Sequence, residues 1–443
     1  SLERLAQRGV LYEHAITPHP LCGPARCALW TGQYPHQNGC RDNQTPMPTD
    51  AAHAFKVWYE AGYHGGLIGK NHCFASDEDL ALFGTWNEIS HVGIPENVPH
   101  KGADWWRPIE GINAAHQLHK TMTPQNPRFG YAVSDVPLED HSTGLIAGQT
   151  VRFLEQHTDE PFALWVSFPD PHEPWVCQRQ YAEMFPPESI ELPDWREDEF
   201  GTDAPERNRI LHEITGIRND SEEDIFGLLA CYYGMVRAVD DAVGQIMDAL
   251  DRLNLSEDTI IVFCSDHGDL MGEHGMQCKG GVFYDALVRV PLIVAYPQQV
   301  PAGVRDDSMV NLIDVVPTLF TLQRMDVPSA MQGQPLPTAT DAKPRTFTVS
   351  EYGKGGKAFT WLDLQDMTKP HGRKTLLDSL QWREAEGRRK MIRTAAWKYV
   401  HDPMGDKDEL YDLMSDPAEH VNVVDRLENA GIVGELRRKL MDW

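Results

Sequence analysis

Residues 221–269 read SEEDIFGLLACYYGMVRAVDDAVGQIMDALDRLNLSEDTIIVFCSDHGD. Ser221 with a carboxylate three residues on has the form of a helix start. The amphipathic run behind it predicts a long helix over 221–254. TIIVFCS at 259–265 is apolar, rich in β-branched residues and too short for a helix, so it reads as a buried strand. That strand ends in Asp266, His267, Gly268 and Asp269.

The same alternation runs outward in both directions. A helix over 142–157 precedes the apolar strand PFALWVSF at 161–168, and a helix over 50–61 precedes GLIG at 66–69. VPLIVAYP at 290–297 is a further strand, followed by a helix over 311–322. Continuous apolar strands alternating with amphipathic helices predict an α/β fold, a mostly parallel sheet flanked by helices. Residues 75–141, rich in Pro, Trp and His, carry no sustained period and read as an insertion or long loops. After a Pro/Gly-rich stretch at 325–345, TFTVSEYG, RKMIRTAAWKYVHD and ELYDL alternate like antiparallel strands. The expected organisation is therefore a main domain over 1–340 and a small C-terminal α+β subdomain over 341–443. The opening SLERLAQRGVLYEHA reads as a helix running into a strand, with an expected first strand upstream of it.

The chain has 443 residues, with 40 Lys+Arg against 66 Asp+Glu and a formal net charge of −26. That field argues against a nucleic-acid partner, which needs basic surface to neutralise phosphates. An anionic substrate would need a local cluster of cations to override it. No apolar run approaches the ~20 residues of a membrane span. Eight cysteines without a C-x-x-C pair argue against a disulfide scaffold or zinc ribbon. Three N-x-S/T sequons, at Asn43, Asn219 and Asn254, read as chance occurrences.

In open α/β sheets, function gathers at the carboxyl ends of strands. Lys70 and His72 follow GLIG, His172 and Trp175 follow PFALWVSF, and Asp266, His267 and Lys279 follow TIIVFCS. Asp266 and His267 on a strand-end loop suit a divalent metal or a salt-bridged turn. Lys70 and His72 alternate, so an extended backbone would put them on one face, where a cation can hold an anion and a neutral imidazole can act as a base. Cys22, at a helix start with Arg26 one turn on, is either an activated thiolate or a buried structural cysteine. Trp58, Trp86, Trp105, Trp106 and Trp175 are candidates to stack on sugar rings or to fill the core.

Several motifs now point the same way. C-G-P-A-R at 22–26 with the following ALWTGQYPHQNG, then GLIGKNH, FPDPHEPW and FCSDHGDLMGEHGMQCKG, together resemble the type I, formylglycine-dependent sulfatases of the alkaline phosphatase superfamily. The resemblance extends through RKMIRTAAWKYVHDP and ELYDLMSDPAEHVNVVD, and so over nearly the whole chain. It implies an alkaline-phosphatase-like fold and sulfate-ester hydrolysis. It implies that a formylglycine-generating enzyme oxidises Cys22 to formylglycine, whose hydrate attacks sulfur. Arg26 would steady the hydrate, Lys70 would bind sulfate oxygens and His72 would be the base. His172 and Lys279 would serve the leaving oxygen, and Cys22, Asp266 and His267 would hold a divalent metal. Calcium is the first choice of metal, the softer imidazole ligand admits manganese or zinc as well, and magnesium is a further alternative.

Two further metal-binding acids of that family lie on a strand upstream of the helix that opens this sequence. Ala25 and His267 resemble the choline-sulfatase and phosphonate monoester hydrolase branch, and Asn43 fits a substrate-contacting position there. Lys70 and His72 follow the sulfatase pattern instead. The expected substrate is an anionic sulfated saccharide, then a small alkyl or aryl sulfate. A phosphonate monoester or phosphodiester hydrolase and a non-catalytic binding relative are the alternatives. A homo-oligomer and a bacterial cytoplasmic or periplasmic setting are both compatible with the sequence.

Overall fold

The computed structural model describes the chain apart from residues 99, 103–107, 123–129, 218–219, 354–359 and 367–387. Elements are numbered in chain order as used here. The strands are β1 (Val10–Ile16), β2 (His64–Gly69), β3 (Thr85–Glu88), β4 (Phe162–Ser167), β5 (Ile261–Cys264), β6 (Arg289–Ala295), β7 (Val304–Asn311), β8 (Thr348–Tyr352), β9 (Arg389–Arg393), β10 (Trp397–His401) and β11 (Glu409–Asp412). The helices are α1 (Leu2–Gln7), α2 (Cys22–Thr31), α3 (Ser142–Gln156), α4 (Glu222–Arg252), α5 (Val315–Leu322) and α6 (Ala430–Asp442).

Two sheets form the α/β body. One has the order β3-β2-β4, parallel throughout. The other has the order β7-β1-β6-β5. There β1 runs parallel to β7, and β6 runs antiparallel to both β1 and β5. The α/β class expected from the sequence is therefore present, with β6 as the reversed member. Helix α4 matches the predicted span within two residues at each end. The Ser221 hydroxyl oxygen accepts from the Asp224 N–H at 3.1 Å, which satisfies one orphan donor of its first turn. Its apolar side packs Val239, Val243 and Met247 against Leu5 of α1 and Ile293 of β6.

Residues 75–141 carry no periodic signal, yet β3 is found there, hydrogen-bonded parallel to β2. Four residues, Thr-Trp-Asn-Glu, are too few and too polar to announce a strand. The C-terminal strands β8-β9-β10-β11 form an antiparallel sheet. Val349, Ile392, Tyr399 and Leu410 bury one face of it against Leu436 and Leu440 of α6 and against Ala28 of α2. Buried cations staple it to the loop after Lys279. Arg393 Nη2 lies 2.8 Å from an Asp285 carboxylate oxygen, and Lys398 Nζ lies 2.6 Å from the other. All eight cysteines are free thiols. Among the described residues no helix is long and apolar enough to cross a membrane.

Strands β4 and β5 are the facing edges of the two body sheets, and neither edge is paired among the described residues. Between them lies a cleft of about 1330 Å³, walled by apolar side chains of α4 such as Val239 and Met247 and by Trp30, Trp58 and Leu319. It reaches Cys22, Arg26, Lys70, Asp266 and His267.

Candidate active site

Helix α2 starts at Cys22, with Leu21 extended before it and Gly32 left-handed after it, and all ten of its residues are buried. The first turn therefore presents residue 22 to the interior, beside backbone N–H groups that favour negative charge. Asn43 Oδ1 accepts from the Gly23 N–H at 2.9 Å, so this side chain fixes the helix start and also lines the substrate-sized cavity described below.

Four distant segments meet at the Cys22 sulfur. His267 Nε2 lies 3.0 Å from Sγ, and Lys70 Nζ lies 3.5 Å from it. His72 and His172 also contact the thiol. Burial alone would raise the Cys22 pKa, but Lys70, His267 and Lys279 hold it well below its ordinary value. The local cations thus reverse the sign of the global −26 field.

Each partner is held by its own backbone. Gly69 at φ +112° ends β2, and the Lys70 N–H donates to the Ser167 carbonyl of β4 at 2.8 Å. His72 adopts φ +67° rather than the extended geometry expected from sequence, so Lys70 and His72 reach the thiol around a bend and not from one strand face. His72 as a residue is exposed, but desolvation of its ring and the nearby Lys70 lower its pKa, which favours the neutral imidazole a base requires. His172 Nδ1 is bound to the Glu173 carbonyl at 2.6 Å, which leaves Nε2 for the centre, and its ring stacks on His91 at 5.1 Å. Lys279 Nζ sits 3.3 Å from a Glu173 oxygen and 3.6 Å from an Asp269 oxygen. Burial disfavours its charge, but those two carboxylates more than compensate and keep it protonated.

Asp266 and His267 follow β5. Burial opposes ionisation of Asp266, yet Arg26 and His267 pull its pKa down to about 2. His267 Nδ1 points at the Gly268 carbonyl, 2.7 Å away, which aims Nε2 at the centre. Asp266, with the Cys22 sulfur, raises the His267 pKa to about 9 against the effect of burial. Arg26 is committed to the protein. Its Nε donates to Asp266 at 2.6 Å, and Nη1 donates to the Lys70 carbonyl and the Ser167 hydroxyl, each at 2.8 Å. The guanidinium therefore orients the metal-type carboxylate. Donor atoms of Cys22, Asp266 and His267 lie within 4.8 Å of one another, a fit for one cation with mixed oxygen and nitrogen ligands. One carboxylate and one imidazole are fewer than the six to eight oxygens calcium takes.

A second cavity of about 550 Å³ is lined by Lys70, His72, His172 and Lys279 together with Asn43, Gln44, Glu88 and His91. None of the candidate tryptophans among the described residues lines it. Trp175 is fully buried in the cluster that contains Met235, Leu270 and Tyr284, so it offers no ring face to a substrate. Trp58 and Trp86 are core residues as well, and Trp105 and Trp106 lie outside the described residues. Sequence reasoning missed Glu173, Asp269, Glu88 and His91. Glu173 and Asp269 sit inside quoted motifs as partners of Lys279. Glu88 and His91 lie in the aperiodic region and carry no local signal.

Comparison with known proteins identifies the family of the chain. The sequence model of the Sulfatase family matches residues 1–324. The choline-sulfatase of Rhizobium meliloti (strain 1021) is 27% identical over 445 residues, covering 96% of this chain and 77% of the relative. The N-acetylglucosamine-6-O-sulfatase of Bacteroides thetaiotaomicron is 23% identical over 498 residues, covering 99% and 80%. The phosphonate monoester hydrolase SpPMH from Silicibacter pomeroyi shares the fold with a TM-score of 0.79 at 21% identity, covering 100% of this chain and 89% of that one. The chain belongs to the sulfatase family.

Proposed function

We propose that this member of the sulfatase family hydrolyses sulfate monoesters with residue 22, matured to formylglycine, as nucleophile. The observation that carries the reading is the convergence of His267 Nε2 and Lys70 Nζ on the Cys22 sulfur at 3.0 and 3.5 Å. Lys70 and Lys279 receive the sulfate oxygens and offset charge that grows in the transition state. Attack by the hydrate of residue 22 forms a new S–O bond and breaks the ester S–O bond. The departing alkoxide takes its proton from Lys279, which is held protonated, with His172 beside it. His72, held neutral, removes the proton of the second hydroxyl of residue 22, which expels sulfate and restores the aldehyde. A cation held by Asp266 and His267 would polarise the sulfate oxygens.

The resemblance adds two acids on a strand preceding the helix at Leu2. Among substrates, a sulfated saccharide fits the polar rim of Asn43, Gln44, Glu88 and His91, and one curated relative is a sugar sulfatase. A small sulfate such as a choline ester fits the same volume, with Glu88 as the counter-charge.

The second reading is a phosphonate monoester or phosphodiester hydrolase with the same nucleophile, favoured by Ala25 and His267 and by the shared fold. A binding relative that lacks turnover is the third. Paired aryl sulfate and aryl phosphonate substrates separate them. The expected result is a higher kcat/KM on the sulfate, abolished in Cys22→Ala. A strong phosphonate preference overturns the first reading, and no turnover of either by matured full-length protein supports the third.

A further inference from the structure

Glu199, His274 and His420 form a cluster outside the Cys22 centre. Glu199 belongs to the irregular segment before the helix at Glu206–Thr215, His274 to the turn between Leu270–Met271 and Gln277–Cys278, and His420 to the loop after β11. All three side chains are 4% exposed. One Glu199 oxygen contacts His274 Nδ1, and the other lies 3.2 Å from His420 Nδ1. Donor atoms of the three lie within 4.8 Å of one another. Two ligands on one tetrahedral zinc stand about 3.3 Å apart, given metal–ligand bonds near 2.0–2.1 Å.

The surroundings resemble an outer coordination layer. His420 Nε2, opposite the converging nitrogen, is buried and makes no hydrogen bond, and its nearest carboxylate is Asp194 at 3.6 Å. Metal-bound histidines characteristically turn their other nitrogen toward a carboxylate. The His274 ring stacks on Tyr284 at 3.6 Å between centroids, which fixes its direction. His274 holds a left-handed backbone, φ +56°, a cost that a bound ligand can offset.

We propose that Glu199, His274 and His420 hold a structural divalent cation of the zinc class. Two imidazoles and one carboxylate suit a borderline cation and are unsuited to calcium or magnesium, which prefer all-oxygen sets. The ion joins three segments that share little regular structure. It also stiffens the turn that leads, five residues on, to Lys279.

The test is zinc content of chelator-dialysed, zinc-reloaded full-length protein carrying Asp266→Asn, which removes the carboxylate from the Cys22 centre. The expected result is one zinc per chain, lost when Glu199→Gln or His420→Asn is added. Cobalt in place of zinc is expected to give visible d–d absorption that the same substitutions abolish. Zinc retained in Glu199→Gln, or no zinc in the Asp266→Asn protein, overturns the proposal and leaves a carboxylate bridging two imidazoles through protons. Anomalous scattering at the zinc edge from zinc-soaked wild-type crystals covers the case in which a variant does not fold. A peak among residues 199, 274 and 420 supports the site, and none there refutes it. Neither outcome bears on sulfate hydrolysis.

Discussion

Lys279 shows how little freedom a site residue has here. Its ammonium is buried between Glu173 and Asp269, so it compensates two carboxylates while facing the cavity. Removing it takes a buried positive charge away from both acids. Lys279→Ala is expected to lose about 3–5 kcal/mol of stability and, if it folds, about 10²–10⁴ in turnover. The loss is expected to be greater for sulfate esters of poor leaving alcohols than for nitrophenyl sulfate. Equal losses on both substrates would remove Lys279 from the departing oxygen. Most of the candidate residues could be singled out because each sits in a motif at a strand or helix end. Trp175 is singled out for its place beside His172 in a strand-end motif, and neither that place nor residue type reveals that its ring is buried. The commitment of Arg26 to Asp266 was equally out of reach, since it depends on how two segments 240 residues apart dock.

At the scale of elements, helix α4 and strands β4 and β5 were legible because burial imposes a period, or removes one, over many consecutive residues. Strand β3 and the bend at His72 were not, because tertiary pairing and a single left-handed residue leave no periodic trace. The end of β2 depends on glycine for a specific reason. Gly69 has φ +112°, and a Cβ there would lie 2.0 Å from the Ser167 carbonyl oxygen of β4. The two strands would have to separate, carrying Lys70 from Cys22. Gly69→Ala is therefore expected to lower the thermal midpoint and to reduce kcat far more than a surface Gly→Ala such as Gly431→Ala, where a Cβ meets nothing. Equal behaviour of the two variants in thermal melts and steady-state assays would contradict the claim that this junction sets the geometry.

Across the whole molecule, buried neutral histidines make acid the weak side. Burial lowers His116 to about 4 and His119 to about 2, from an ordinary 6.5. On unfolding, both regain their ordinary affinity, so below pH 6.5 the unfolded chain binds protons that the folded protein refuses. Stability is then present above that pH and falls as pH drops toward 4, by up to about 1.4 kcal/mol per pH unit for each histidine. The urea midpoint is expected to be lower at about pH 5 than at about pH 7.5, and an unchanged midpoint would refute the assignment. The fold class was legible from alternation alone. The cleft between β4 and β5 was not, since it is a property of two sheets facing each other.

The central claim is that residue 22, chemically converted, is the nucleophile at which these segments meet. The most direct test is the mass of the proteolytic peptide containing residue 22, taken from protein produced with a formylglycine-generating enzyme and shown to cleave a sulfate ester. The account predicts the aldehyde or its hydrate at position 22. A preparation that turns over substrate while that peptide carries only an unmodified thiol would contradict it.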